Sequence, residues 1–115
     1  MSTPNPIDFA LEGFLTARRR VVLAAVIEVT PHLGRPPSRL FLERLLGGAR
    51  GIGFPSRALA SYGALGRPAD ARREIEAAVR NGLLDRARSP APGLVLTLAG
   101  RRELDPLLLL ARPPP

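Results

Sequence analysis

A turn rich in proline and glycine near the C-terminus constrains the fold of this chain more than any other feature. The stretch NGLLDRARSPAPGLVLTLAGRREL covers residues 81–104, and its middle, SPAPG, occupies residues 89–93. After this turn, leucine takes every second position from Leu94 to Leu98, which is typical of a strand with one face on a core. The pattern predicts a β-hairpin over residues 84–98.

The arginines of this hairpin are predicted to lie together. Arg86 and Arg88 are two residues apart, so they share one face of the first strand, opposite Asp85 and Ala87. Beyond the second strand, Thr97 is a candidate N-cap for a final helix.

Outside the hairpin, apolar side chains recur at helical spacing, and glycine and proline separate the segments. The interval 7–34 fits either one long helix or two helices with a bend at its three consecutive arginines, and residues 1–6 are predicted to be disordered. Ser38 is a candidate N-cap for a helix over 38–48, with Leu40 on its apolar face. Further helices are predicted over residues 56–66, 69–84 and 99–112.

These segments predict one domain over residues 7–112, mainly α with a small sheet of two or three strands. In the segment 69–84 the predicted inward face consists of Ala71, Ile75, Ala78, Val79 and Leu83. The outer face then carries Arg72, Arg73, Glu76 and Arg80. Glu74 and Glu76 are interpreted as ion-pair partners of arginines on the same helix.

The side chains that most enzymes and metal sites need are scarce. Cysteine is absent, and His32 and Tyr62 are the only histidine and tyrosine, so no triad or metal cluster can be assembled. The glycine-rich stretch GGARGIGF resembles a phosphate cradle but lacks the Lys-Ser/Thr ending of a P-loop and a preceding strand, so we interpret it as a loop. We expect a protein that is not an enzyme and has no cofactor or metal.

Charge indicates the class of partner. All seventeen basic residues are arginine, only ten residues are acidic, and the formal net charge is +7. An excess of this size on a small domain favours a polyanionic partner, of which nucleic acid is the commonest, although a cationic surface can also serve solubility alone. No apolar run has the length of a membrane span, which predicts a soluble protein without a membrane partner.

Residues 56–104 resemble the winged helix-turn-helix core of bacterial and archaeal regulators of the MarR and PadR type. Ala60 takes the place of an alanine that packs on the second helix of that motif, and Gly82-Leu83-Leu84 matches the turn into the wing. The stretch Leu96–Arg101 matches the pattern Leu-Thr-x-x-Gly-Arg at the end of the wing.

The resemblance implies a helix-turn-helix formed by 56–66 and 69–84, with 69–84 as the recognition helix and 84–98 as the wing. The residues expected to contact DNA are Arg67, Arg72, Arg73, Arg80, Arg86 and Arg88. We expect sequence-specific binding of double-stranded DNA by a transcriptional regulator located on the nucleoid in the cytoplasm. The resemblance says nothing about a small-molecule effector.

Two apolar segments predict a homodimer. VVLAAVIEV within residues 7–34 and the terminal LLLLA are too apolar for solvated helices. Two alternatives to the regulator remain. One is a winged-helix protein-interaction module that uses Asp70, Glu74 and Glu76 instead of binding DNA. The other is a non-specific chromosome-coating or replication accessory protein.

Overall fold

The computed structural model describes the backbone of residues 6–88 and 92–111 and the side chains of residues 17–88 and 92–104. Over these residues the chain is mainly helical with one small two-stranded antiparallel sheet, as the sequence predicted. The elements, in chain order, are α1 (Pro6–Leu33), α2 (Arg39–Leu46), α3 (Phe54–Arg57), α4 (Pro68–Arg80), β1 (Leu84–Ala87), β2 (Gly93–Leu96) and α5 (Leu98–Ala111).

Helix α1 is continuous, which decides between the two alternatives that the sequence left open. Pro31 lies within its last turn and does not end it. The helix ends before Gly34, where the amide of Arg35 donates to the carbonyl of Thr30 at 3.1 Å.

The apolar middle of α1 is buried inside the chain's own core, against α2, α4, β2 and α5. The fully or almost fully buried residues there are Val22, Leu23, Ala25, Val26 and Val29. This burial covers most of the apolar surface of VVLAAVIEV within the chain itself, and Ile27, 47% exposed, is the large apolar side chain of this segment that stays on the surface. The side chains of the terminal LLLLA lie outside the described residues.

Helix α2 begins at the predicted cap. The Ser38 hydroxyl oxygen accepts a hydrogen bond from the amide of Phe41 at 3.1 Å, which confirms Ser38 as the N-cap. The helix spans fewer residues than the predicted 38–48. Leu40 is 61% exposed, so its assignment to the apolar face is wrong: it is about 200° around the helix from the buried Leu42.

The predicted helix over 56–66 is wrong. Residues 48–67, called the inter-helix loop below, contain only the single turn of α3 and then a series of turns. Gly63 takes a φ of +70°, which lies outside the right-handed helical region. Its amide donates at 2.8 Å to the carbonyl of Leu45, so it satisfies the C-terminal end of α2 instead of extending a helix.

The inter-helix loop has its own small apolar cluster. Ile52, Leu59 and Tyr62 pack with residues of α1 and α2, and the Tyr62 hydroxyl donates to the carbonyl of Gly48 at 3.1 Å. Ala60 is exposed, so the predicted packing of this alanine on the following helix is wrong, because the turn conformation directs other residues inward.

The ends of α2 and α4 meet, although the whole inter-helix loop separates them in sequence. The backbone of Gly47 lies so close to Pro68 that a Cβ on Gly47 would overlap the backbone nitrogen and Cα of Pro68. Helices α2 and α4 also make the most extensive contact between any two helices. The helix that pairs with α4 is therefore α2. The inter-helix loop begins and ends at the junction of these two helices.

Helix α4 buries the face that the sequence predicted, with Ala71, Ile75 and Ala78 fully buried. It ends at Arg80, before the predicted residue 84, because Gly82 takes a φ of +74° and terminates the helical hydrogen bonding. The amide of Leu83 then donates to the carbonyl of Ala78 at 2.9 Å, as in a Schellman motif.

The predicted hairpin over 84–98 is present with shorter strands. Its register pairs Leu84 with Leu96 and Arg86 with Leu94. Arg88 follows β1, and the tip residues 89–91 lie outside the described residues.

The predicted alternation fails at Leu98, which is 66% exposed because it already belongs to α5. Thr97 caps this helix as predicted: its hydroxyl oxygen accepts from the amide of Gly100 at 3.0 Å and its hydroxyl donates to the carbonyl of Gly82. The two hydrogen bonds of Thr97 thus connect the start of α5 to the turn after α4. Within the described part of the chain, no helix combines the length and the hydropathy of a membrane span.

Candidate nucleic-acid interface

The outer face of α4 is exposed where the sequence predicted it. Because the buried positions recur every three or four residues, the positions between them face solvent. The exposed residues of this face are Arg72, Arg73, Glu76 and Arg80. Arg67, at the N-cap of α4, has an 83% exposed side chain and an ion pair with Asp70 at 3.4 Å.

The carboxylates of α4 form ion pairs with other helices. Glu74 accepts from Arg18 of α1 at 3.4 Å, and Glu76 pairs with Arg39 of α2 at 2.7 Å. The interpretation that both pair within their own helix is therefore wrong. Residues distant in sequence approach these carboxylates because α1 and α2 both pack against α4.

One N–H donor of the Arg72 guanidinium already forms a hydrogen bond within the protein. Its Nε donates at 2.7 Å to Glu43 of α2, a carboxylate whose side chain is only 10% exposed. The Arg72 side chain is still 62% exposed, so its remaining donors face solvent.

Four of the six arginines predicted to bind DNA have no carboxylate partner among the described residues. No described carboxylate oxygen lies within 4.0 Å of the guanidinium nitrogens of Arg73, Arg80, Arg86 or Arg88. All four residues are exposed. Their charge is therefore available to an external anion.

An open groove of about 900 Å³ separates the first strand of the hairpin from the start of α2. The residues that line it are Ser38, Arg39, Asp85, Arg86, Ala87, Arg88, Pro92, Gly93 and Leu94. Among these described residues three are arginines and one is a carboxylate, Asp85, which accepts a hydrogen bond from the amide of Arg86 at 2.8 Å. The groove is thus a predominantly cationic cleft.

Arg39 is the residue of this surface that the sequence did not identify. It lines the groove beside Arg86 and Arg88, and it also pairs with Glu76 on the outer face of α4. The sequence contains a local signal that could have identified Arg39. Because Ser38 is the N-cap of α2, Arg39 is the first residue of that helix, and the partial positive charge of a helix N-terminus favours anions. Arg39 joins the outer face of α4 to the groove in one surface.

The chemistry of this surface is that of anion binding. Arginine presents planar, multiple N–H donors that match phosphate oxygens and guanine edges. His32, at the end of α1, shares a hydrogen bond with the hydroxyl of Ser56, with Nε2 and Oγ 3.2 Å apart. Across residues 17–88 and 92–104, no three His, Cys, Asp or Glu side chains gather as metal ligands.

No family model, no curated protein and no solved structure matches the chain.

Proposed function

We propose that this protein binds double-stranded DNA as a winged helix-turn-helix. In this proposal α2 and α4 are the two helices of the motif, α4 is the recognition helix, and the hairpin is the wing. The close approach of Gly47 to Pro68 supports this assignment, because it brings the end of α2 to the start of α4 as a short turn would. The inter-helix loop is then an insertion into that turn.

The observation that carries the proposal is the set of exposed arginines on α4 and the hairpin, with Arg39 of α2 in contact with both elements. Arg73 and Arg80 project from α4, Arg86 and Arg88 from the hairpin, and Arg39 connects the two sets. Exposed arginines without internal partners on consecutive elements match the repeated phosphates of a duplex, to which most contacts in protein–DNA interfaces are made.

The two parts of the surface are assigned different roles. The first turns of a recognition helix meet base edges in the major groove, which favours Arg73 as a reader of guanine, with Arg72 second because Glu43 occupies its Nε. Arg67 and Arg80, at the two ends of α4, and the hairpin arginines would bind phosphates or enter the minor groove.

In this proposal the protein acts as a homodimeric transcriptional regulator on the nucleoid. A twofold dimer would match a palindromic site with half-sites about one helical turn apart. The protein-interaction alternative is less well supported, because Asp70, Glu74 and Glu76 all form ion pairs within the chain.

Replacing both hairpin arginines tests the proposal. The logarithm of the DNA-binding constant is expected to fall linearly with the logarithm of salt concentration, and Arg86→Gln/Arg88→Gln is expected to reduce that slope by about two units per chain. Fluorescence anisotropy of a labelled duplex between about 50 and 200 mM salt measures it.

The matched control is Arg101→Gln/Arg102→Gln, which removes the same charge from exposed positions of α5. This control is expected to leave the slope within about half a unit of wild type. Equal slopes for the two double variants would exclude the hairpin from the interface.

A further inference from the structure

Two arginine side chains lie against one short stretch of the inter-helix loop, and that stretch contains a third arginine. The guanidinium of Arg57 donates to the carbonyls of Arg50 and Ile52, the second at 3.1 Å from Nε. Nη2 of Arg44, from α2, lies against Gly51 so closely that a Cβ there would collide with it. The backbone segment that carries the Arg50 side chain therefore has the Arg57 guanidinium hydrogen-bonded to it and the Arg44 guanidinium lying against it.

This arginine cluster (Arg44, Arg50 and Arg57) has no counter-charge in its surroundings. Residues 44–69 contain four arginines and no aspartate or glutamate. Of the neighbouring carboxylates, Glu28 accepts from the amide of Ser61 at 3.0 Å and Glu43 accepts from Arg72. No described carboxylate oxygen lies within 4.0 Å of the three guanidinium groups.

The cluster retains unused donors, and those of Arg57 are held in place by its bonds to the loop backbone. A guanidinium has five N–H donors, and the described bonds of Arg57 use only two of them. Those bonds immobilise Arg57, so less side-chain entropy is lost when it binds a ligand. All three residues are exposed. Neighbouring guanidinium groups with free N–H donors match the anionic oxygens of a phosphate group, to which arginine can donate two parallel hydrogen bonds.

The glycines of GGARGIGF have a different role here from those of a P-loop. No strand precedes the stretch, since α2 leads directly into it. The absence of a side chain at Gly51 instead allows the Arg44 guanidinium to lie on the backbone. Phosphate recognition at this stretch would come from arginine side chains and not from a cradle of amides.

We propose that the arginine cluster is a second phosphate-binding site, which binds the backbone of a DNA strand outside the surface formed by α4 and the hairpin. This inference rests on the proposed function. The inter-helix loop begins and ends where α2 meets α4, next to the first turn of the recognition helix. A duplex that receives this turn in its major groove brings its flanking phosphates toward the loop, and the cluster would lengthen the footprint on that side.

The test is the double variant Arg44→Gln/Arg50→Gln, which keeps Arg57 and its hydrogen bonds to the loop. The salt slope of duplex binding is expected to fall by about two units relative to wild type, and the Arg101→Gln/Arg102→Gln control to leave it within about half a unit. Hydroxyl-radical footprinting of the same complexes is expected to lose protection at one edge of the site. A slope equal to that of the control would overturn the inference while the proposed function stands.

If the wild-type protein does not bind duplex DNA and the proposed function fails, a separate titration still tests whether the arginine cluster binds phosphate. With inorganic phosphate as the probe, the backbone amide NMR signals of Gly51 and Ile52 are expected to shift in the wild type and to stay unchanged in Arg44→Gln/Arg50→Gln. That result supports a site for a free phosphate group. No shift in the wild type overturns the cluster as a phosphate site of any kind.

Discussion

Replacement of Gly47 by alanine is expected to lower the free energy of unfolding by about 2–3 kcal/mol. The φ of Gly47 is −83°, a value that alanine adopts without strain, so the effect comes from contact alone. The added methyl group would overlap the backbone of Pro68, which cannot move aside as a flexible side chain can. The ends of α2 and α4 would have to separate, at a cost that exceeds the gain from a less flexible unfolded chain.

Urea denaturation followed by circular dichroism measures this change. Gly53→Ala is the matched control, because Gly53 has a φ of −58° and the nearest atom to its added Cβ would be 3.9 Å away. The control is expected to change the free energy of unfolding by less than about 0.5 kcal/mol. Equal effects of the two substitutions would contradict the close junction of α2 and α4.

Replacement of Arg73 by alanine is expected to weaken binding to the preferred DNA site by about 10- to 100-fold and to relax base preference at one position. Arg73 is exposed near the start of α4 and has no described ion-pair partner. A bidentate contact from arginine to guanine contributes discrimination of that size. Alanine is a good helix former, so α4 itself is expected to remain intact.

Arg80→Ala is the control for this prediction, because Arg80 is also exposed but lies at the other end of the same helix. It is expected to weaken binding to all sequences equally and to lower the salt slope by about one unit, as a phosphate contact would. Competition assays with single-base variants of the site separate the two effects. A uniform loss for both variants would remove Arg73 from base recognition.

The parts of this fold that could be predicted from the sequence depend on local signals. The cap at Ser38, the turn at Gly82, the hairpin and the buried face of α4 are each determined within a few residues. At these positions backbone conformation, capping and periodicity all favour the same structure. The exposure of Arg72, Arg73 and Arg80 follows directly from that face.

The inter-helix loop could not be predicted, because its conformation depends on partners far away in sequence. Residues 56–66 have helical apolar spacing, but Gly63 and Leu65 donate their amides to the end of α2. The same limit applies to Glu76, whose partner Arg39 is on another helix. Such contacts outweigh local propensity, which is a weak determinant on its own.

Selection from a pool of random double-stranded DNA tests the central claim, that the surface formed by α2, α4 and the hairpin binds duplex DNA, most directly. The wild-type protein is expected to retain duplexes that share a common motif, and twofold symmetry in that motif would support a homodimer. Retention of all sequences equally would indicate the chromosome-coating alternative. Failure to retain any duplex at about 50 mM salt, where phosphate contacts are strongest, would show that this surface does not bind duplex DNA.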